Sequence, residues 1–187
     1  LNLEQGRFLK PFSLLADAAN CAERSHVHGL YSIGTEAGTV ECWDPREKNR
    51  IGVTDVGDAL AKTSGINWDP STSDVEVTSL KYHPDGLHLA AGTSNGFTLL
   101  YDLRSSRPIM VKDQQYGQPI VDIKFHQTAE GSYLLAADKT ILKIWDHTKA
   151  SEGLFASIEP PADINEINIF PHSGLMVMAT EQPRLHI

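Results

Sequence analysis

The stretch GTVECWDPR, residues 38–46, recurs twice in the chain, as GFTLLYDLR at 96–104 and as TILKIWDHT at 140–148. Each copy is a β-prone run that ends in an aromatic residue followed by aspartate. The second and third aromatic residues are 44 residues apart, and the first and second are 58 apart. A spacing of roughly 40–45 residues is typical of a repeated four-stranded β unit. The sequence therefore predicts one small sheet used several times.

The rest of each unit repeats as well. Residues 77–96 and 120–139 both have a strand-like run, a turn, a run rich in small residues and a second turn. A further β-prone run follows each aromatic-Asp pair and suits a fourth strand. A fourth copy begins near residue 164 and reaches Ile187 before its aromatic-Asp position. The pattern predicts an all-β WD40 β-propeller, of which this chain supplies three to four blades of a larger ring.

The repeats divide the chain into blade units. These units are placed at residues 20–56, 75–114, 118–159 and 163–187, the last one incomplete. Residues 57–74 account for the longer first spacing, and their Gly, Ser, Thr and Asp content predicts a loop insertion. The Trp68-Asp69-Pro70 sequence inside this insertion resembles the repeat, but no strand-like run precedes it. We therefore do not assign it to a blade.

The repeated residue types have structural roles in such a fold. The structural repeat positions are Trp43, Asp44, Tyr101, Asp102, Trp145 and Asp146. The aromatic ring can fill the gap between blades, and the aspartate can accept backbone N–H bonds that tighten the turn. Gly86, Gly96 and Gly131 fall at turns, where we expect positive φ angles.

The histidines do not form an obvious catalytic or metal site in the sequence. His83, His126 and His172 occupy near-equivalent positions of successive blades, so we expect turn residues that lie far apart around the ring. The alternating spacing of His26 and His28 suits one strand face, but no third ligand is evident. The sequence predicts no metal site and no cofactor.

Two cysteines, Cys21 and Cys42, are not arranged as CxxC, so neither a zinc site nor a disulfide framework is expected. Catalytic and phosphate-binding motifs of the usual kinds are absent from the sequence. We expect a protein that is not an enzyme and has no small-molecule substrate. No apolar run is long enough to cross a membrane, so no membrane partner is expected.

Basic side chains cluster just after the aromatic-Asp positions. They are Arg46, Lys48, Arg50, Arg104 and Arg107. The net charge of −8 argues against a surface that binds phosphate everywhere. Two interpretations remain open: solvated turns in which the cations pair with nearby aspartates, or a basic rim that contacts RNA phosphate or an acidic partner.

Trp43-Asp44-Pro45-Arg46 also fits the WDxR box of substrate receptors of cullin ubiquitin ligases. Tyr101-Asp102-Leu103-Arg104 is a near match to the same box. A WDxR-type substrate receptor of a cullin ubiquitin ligase is therefore the alternative function.

Four segments of the chain have a wider resemblance to a known family. They are LEQGRFL at 3–9, YDLRSSRPIMVKDQQYGQPI at 101–120, PHSGL at 171–175 and EQP at 181–183. Together these resemble the nucleolar protein ten family, whose fungal members are called Enp2. The resemblance implies a non-enzymatic WD40 scaffold of the small-subunit processome, or 90S pre-ribosome, which supports 18S rRNA maturation and 40S subunit assembly. It implies a location in the nucleolus of the nucleus. It also implies other ribosome-assembly proteins and the pre-ribosomal RNP as partners, with direct RNA contact an open question.

Overall fold

The computed structural model describes residues 3–8, 11–47, 49–63, 65–66, 74–129, 131–149, 153–170 and 173–187. The first antiparallel sheet contains β1 (Ala19–Arg24), β2 (Tyr31–Thr35), β3 (Thr39–Asp44) and β4 (Asn49–Asp55). A short helix, α1 (Val56–Ala61), follows it. The second sheet contains β5 (Val77–Tyr82), β6 (His88–Thr93), β7 (Phe97–Asp102) and β8 (Pro108–Asp113).

The third sheet contains β9 (Asp122–Gln127), β10 (Ser132–Ala137), β11 (Leu142–Asp146) and β12 (Leu154–Ile158). The fourth contains β13 (Ile164–Ile169), β14 (Met176–Thr180) and the two-residue β15 (Leu185–His186). In each sheet the strands pair in chain order, and each sheet overlaps one of the four sequence units in turn. The predicted all-β partial propeller is confirmed.

The sheets pack face to face, and the core lies between them. The first strands β1, β5 and β9 lie side by side, and β13 packs against β9, whereas the fourth strands form the outer edges. One apolar cluster joins the first and second sheets, a second joins the second and third, and a third joins the third and fourth. Burying apolar surface between neighbouring blades is what holds such a ring together.

Small residues on the inner strands allow this close packing. Ala90 and Ala91 on β6 are fully buried. A Cβ atom added to Gly92 would lie 2.3 Å from Ser79 Oγ and 2.6 Å from Ile120 Cβ. The linker before the third sheet therefore approaches the backbone of β6 closely enough that only glycine fits.

Helix α1 corrects part of the predicted loop insertion at 57–74. Asp55 caps the helix by accepting the Asp58 N–H at 2.8 Å. Val56 and Leu60 are buried in the cluster between the first two sheets. The N-cap and this one-turn apolar spacing favour a helix over a loop. Residues 64 and 67–73, including Trp68-Asp69-Pro70, lie outside the described residues.

The turn glycines differ from the expectation at one position. Gly86 and Gly96 have φ angles of 75° and 83°, in the left-handed region. Gly131 does not have a positive φ. Its N–H donates to Thr128 Oγ1 at 3.1 Å and its carbonyl accepts the Thr128 N–H at 2.9 Å, so two hydrogen bonds hold Gly131 in this turn.

Among the described residues, no helix is long and apolar enough to span a bilayer.

Candidate interaction surface

The strand-end face is the side of the sheets where the first and third strands end. It carries the loops that follow β1, β3, β5, β7, β9 and β11. Because neighbouring strands run in opposite directions, these loops all lie on one side. The three aromatic-Asp pairs end on this face.

The repeat aromatics are buried beside the preceding element of the chain. Tyr101 belongs to the apolar cluster between the first and second sheets, and Trp145 to the one between the second and third. In the described part of the chain no sheet precedes the first one, and the ring of Phe12 stacks on Trp43 with centroids 4.8 Å apart. The N-terminal segment thus covers Trp43.

The repeat aspartates close the same kind of turn three times. Asp44 and Asp102 each accept the backbone N–H of the residue two positions later at 2.9 Å. Asp146 accepts the corresponding N–H at 3.0 Å. In each case a side-chain oxygen takes the place of a backbone acceptor just after the strand.

Two of the candidate contact residues pair with these aspartates. Arg46 Nη2 lies 2.7 Å from Asp44 Oδ2, and Arg104 Nη2 lies 2.6 Å from Asp102 Oδ2. Hydrogen bonds from Arg46 lower the pKa of Asp44 to about 2, and those from Arg104 hold the pKa of Asp102 well below its usual range. The arginine side chains are 72% and 70% exposed. Such exposed pairs contribute little to stability, so both guanidinium groups can turn to another anion.

Arg50 has a different environment. Its Nη1 lies 3.2 Å from Oε2 of the fully buried Glu41, and its guanidinium lies 5.7 Å from the centre of the Trp43 ring. The other carboxylate oxygen of Glu41 accepts the Leu15 N–H at 2.7 Å. Arg50 and Glu41 therefore hold the N-terminal segment on the first sheet, and Arg50 has a structural role.

Arg107 is exposed and makes no ion pair within the described part of the chain. It lines a groove of about 720 Å³ between the outer strands of the first two sheets, together with Asp58 and Lys62. Lys48 lies outside the described residues. Arg46, Arg104 and Arg107 are thus the candidate contacts that remain available on this side.

The opposite face has a different charge. Its loops carry a series of acidic residues that are exposed: Glu36, Asp74, Glu76, Glu159 and Glu181. The few basic residues in the same loops include Lys62, Lys139 and Arg184. The negative net charge of the chain is therefore concentrated away from the strand-end face.

The histidines are arranged differently from the sequence expectation at two places. His26 and His28 lie in the turn between β1 and β2, so they do not share a strand face. His28 Nε2 lies 2.9 Å from the carbonyl oxygen of Gly86, a contact between the first two sheets. His126 is on β9, and His172 lies outside the described residues.

His83 contacts side chains that its position in the repeat does not predict. Its ring packs edge-on against His88 and His147, with centroids 5.7 and 5.2 Å apart, and Asp85 lies beside it. The sequence feature that indicates this cluster is HPDGLH at 83–88, in which two histidines flank a tight turn that contains Asp85.

The cysteines are both free thiols. Burial raises the pKa of Cys21 to about 11 and also raises the pKa of Cys42. Because the thiolate is the reactive form, burial makes both side chains less nucleophilic than an exposed cysteine.

Comparison with known proteins gives consistent matches over the whole chain. A family model described as "Nucleolar protein 10-like, N-terminal domain" matches residues 1–187. Nucleolar protein 10 of Homo sapiens is 42% identical over 188 residues, covering 100% of this chain and 26% of that protein. Ribosome biogenesis protein ENP2 of Saccharomyces cerevisiae is 38% identical over 187 residues, covering 100% of this chain and 25% of that protein.

Among solved structures, a chain from "Crystal Structure of Mitotic Checkpoint Complex" has a TM-score of 0.67 with 20% identity, covering 88% of this chain and 47% of that chain. At that identity the likeness concerns the fold alone. The chain spans about a quarter of the length of the curated relatives named above. The family match over residues 1–187 shows that this chain belongs to the nucleolar protein 10-like family, in its N-terminal β-propeller domain.

Proposed function

We propose that the protein is a non-enzymatic scaffold of the small-subunit processome, the 90S pre-ribosome, and supports 18S rRNA maturation and 40S subunit assembly in the nucleolus. The observation that carries the proposal is the 38–42% identity, over the entire chain, to relatives named as nucleolar and ribosome-biogenesis proteins. Its partners on this proposal are other ribosome-assembly proteins and the pre-ribosomal RNP.

The propeller suits a scaffold because it offers rigid surfaces with different chemistry on its two sides. The strand-end face presents Arg46, Arg104 and Arg107, and guanidinium groups bind phosphate oxygens through paired hydrogen bonds. We assign RNA phosphate, or an acidic assembly protein, to this face. The acidic loops of the opposite face suit basic segments of protein partners.

The ligase-receptor alternative has less support. Trp43 is buried, and Asp44 and Asp102 close the turns of their own boxes by accepting backbone N–H groups. The two WDxR-like boxes are thus accounted for by strand-end packing and turn closure. No feature in the described ranges favours a ubiquitin-ligase adaptor over a ribosome-assembly partner.

Depletion of the intact protein in cells tests the proposal. We expect precursors of 18S rRNA to accumulate and mature 18S rRNA to fall, while the large-subunit rRNA keeps its level and serves as the internal control. Re-expression of the wild-type protein restores 18S rRNA. Normal 18S processing after verified depletion would overturn the proposal.

A further inference from the structure

Three potential metal ligands converge at the turn between β5 and β6. His83 follows the end of β5, Asp85 lies in the turn, and His88 begins β6. Asp85 Oδ2 lies 2.9 Å from His83 Nδ1 and 2.6 Å from His88 Nδ1. The three ligand atoms all lie within 4.8 Å of one another, which places them around one point in space.

Both ring nitrogens of His83 lie beside polar groups. The hydroxyl of Ser132 lies 3.0 Å from His83 Nε2 and 2.7 Å from His147 Nε2. Gln127 Nε2 lies 3.3 Å from the same His83 Nε2, and the backbone N–H of Asp85 lies 3.2 Å from His83 Nδ1. In the tautomer with the proton on Nε2, His83 donates to Ser132 and Nδ1 has a lone pair for a ligand bond.

The Asp85 carboxylate oxygen lies 2.9 Å from His83 Nδ1, close enough for a hydrogen bond when Nδ1 carries the proton. A cation bound to both atoms takes the place of that proton. His88 Nδ1 supplies a third donor atom beside the same oxygen.

The surrounding residues hold the ligand atoms in place. Asp85 Oδ1 accepts the backbone N–H groups of Leu87 at 2.7 Å and His88 at 3.2 Å, which leaves Oδ2 directed at the two rings. The buried ring of His83 is fixed at Nε2 by Ser132 and packs edge-on against Phe125 at 4.8 Å. A second hydrogen bond of this kind is the usual support of a metal-binding histidine.

We propose that His83 Nδ1, Asp85 Oδ2 and His88 Nδ1 bind one Zn²⁺ ion, with the fourth coordination position open to solvent. Two imidazole nitrogens and a carboxylate oxygen suit Zn²⁺, whereas Mg²⁺ and Ca²⁺ require mainly oxygen ligands. The side chains of Asp85 and His88 are 30% and 21% exposed, so the ion has a path from solvent.

Such an ion stabilises the turn between β5 and β6, because all three ligands lie in it. His83 of this turn also contacts Ser132 and Phe125 of the third sheet. A ligand that binds only the folded state raises stability in proportion to the logarithm of its concentration. The proposed ion has a structural role and does not depend on which partner the propeller binds.

Zinc binding by the purified intact protein tests the site. After removal of metal with a chelator, Zn²⁺ is titrated by calorimetry, and Co²⁺ serves as a spectroscopic substitute. The variants are Asp85→Asn, which keeps the shape of the side chain, and His88→Gln, which removes the ring nitrogen. We expect each to lose one equivalent of bound metal relative to the wild type. His126→Gln, a change at a half-buried histidine outside the cluster, is the matched control and keeps full stoichiometry.

Two further measurements separate metal binding from a general effect on folding. Zn²⁺ raises the melting temperature of the wild type and of His126→Gln, but not of Asp85→Asn or His88→Gln. Ser132→Ala keeps the ligands but loses their support, and weakens Zn²⁺ binding by about 10–100-fold. Equal zinc stoichiometry in folded wild type, Asp85→Asn and His88→Gln would overturn the proposal, as would displacement of Zn²⁺ by equimolar Mg²⁺.

Discussion

At the scale of single residues, the repeat aspartates explain why basic side chains follow each third strand. Asp44 and Asp102 accept a backbone N–H of the turn and bind the arginine two residues later. Asp146 binds Thr148 in the same way, and Lys149 Nζ lies 3.2 Å from its carboxylate. The basic cluster seen in the sequence is thus first a feature of local turn pairing. Its exposure is what leaves it available to a partner.

The Asp44–Arg46 pair predicts a measurable change in carboxyl titration. In Arg46→Ala, the pKa of Asp44 rises from about 2 toward its ordinary value of 3.8, because the guanidinium donors are lost. NMR titration of the Asp44 carboxyl group measures this pKa. Arg104→Ala is the control, since it changes the pKa of Asp102 and leaves that of Asp44 unchanged.

The lowered pKa of Asp44 also determines how pH changes the stability of the fold. The folded-state pKa of Asp44 lies below the unfolded one, so the pair stabilises the fold above about pH 4. That contribution is lost as the pH falls toward 2. A wild-type Asp44 that titrates at its ordinary value would contradict this account of the pair.

At the scale of elements, the inner strands depend on close approach between neighbouring sheets. In Gly92→Ala, the added methyl group would collide with Ser79 and with Ile120. We expect the free energy of unfolding to fall by about 1–3 kcal/mol, as for other overpacked sites. Chemical denaturation of the intact protein measures the change.

Gly52→Ala is the matched control for this prediction. Gly52 is also in a strand, β4, but a Cβ atom there meets nothing within 4 Å. Its substitution leaves stability unchanged or raises it slightly, because alanine restricts the unfolded chain more than glycine does. Equal changes in the free energy of unfolding for the two substitutions would show that contact between the sheets does not cause the destabilisation of Gly92→Ala.

The strands were predictable from sequence because each one recurs in neighbouring units. The GTVECWDPR pattern and its copies identify β3, β7 and β11, and the flanking runs identify their partners. Helix α1 was missed because it occurs once and has only six residues, with Gly57 near its start. A single-turn helix depends on its N-cap and on burial of Val56 and Leu60, which only the folded sheets provide.

The histidine cluster was missed for a different physical reason. Comparing equivalent positions pairs His83 with His126, which lie on different blades. The cluster instead joins different positions: the first turn of one sheet, where His83 and His88 lie, and the third-strand end of the next, where His147 lies. Neighbouring sheets bring His147 to this cluster, and this requires knowledge of how the blades pack, whereas His83, Asp85 and His88 are already neighbours in HPDGLH at 83–88.

At the scale of the whole molecule, the separation of charge between the two faces predicts how RNA is contacted. We expect the combined change of Arg46 and Arg104 to glutamate to reduce crosslinking of the intact protein to RNA in cells several-fold. The control variant reverses the same number of charges on the opposite face, at Lys139 and Arg184. It keeps wild-type crosslinking, because phosphate contacts depend on local positive charge. Equal loss in both variants would contradict an RNA-facing strand-end surface.

The function proposed above makes the intact protein a component of the 90S pre-ribosome. Sedimentation of the tagged protein through a sucrose gradient, with U3 RNA and pre-18S rRNA measured in the same fractions, tests it most directly. The account predicts that the protein peaks in the large particles that contain both RNAs and co-purifies with them. A protein that sediments only as free molecules, with no U3 RNA or pre-18S rRNA in its purified fraction, would contradict the claim.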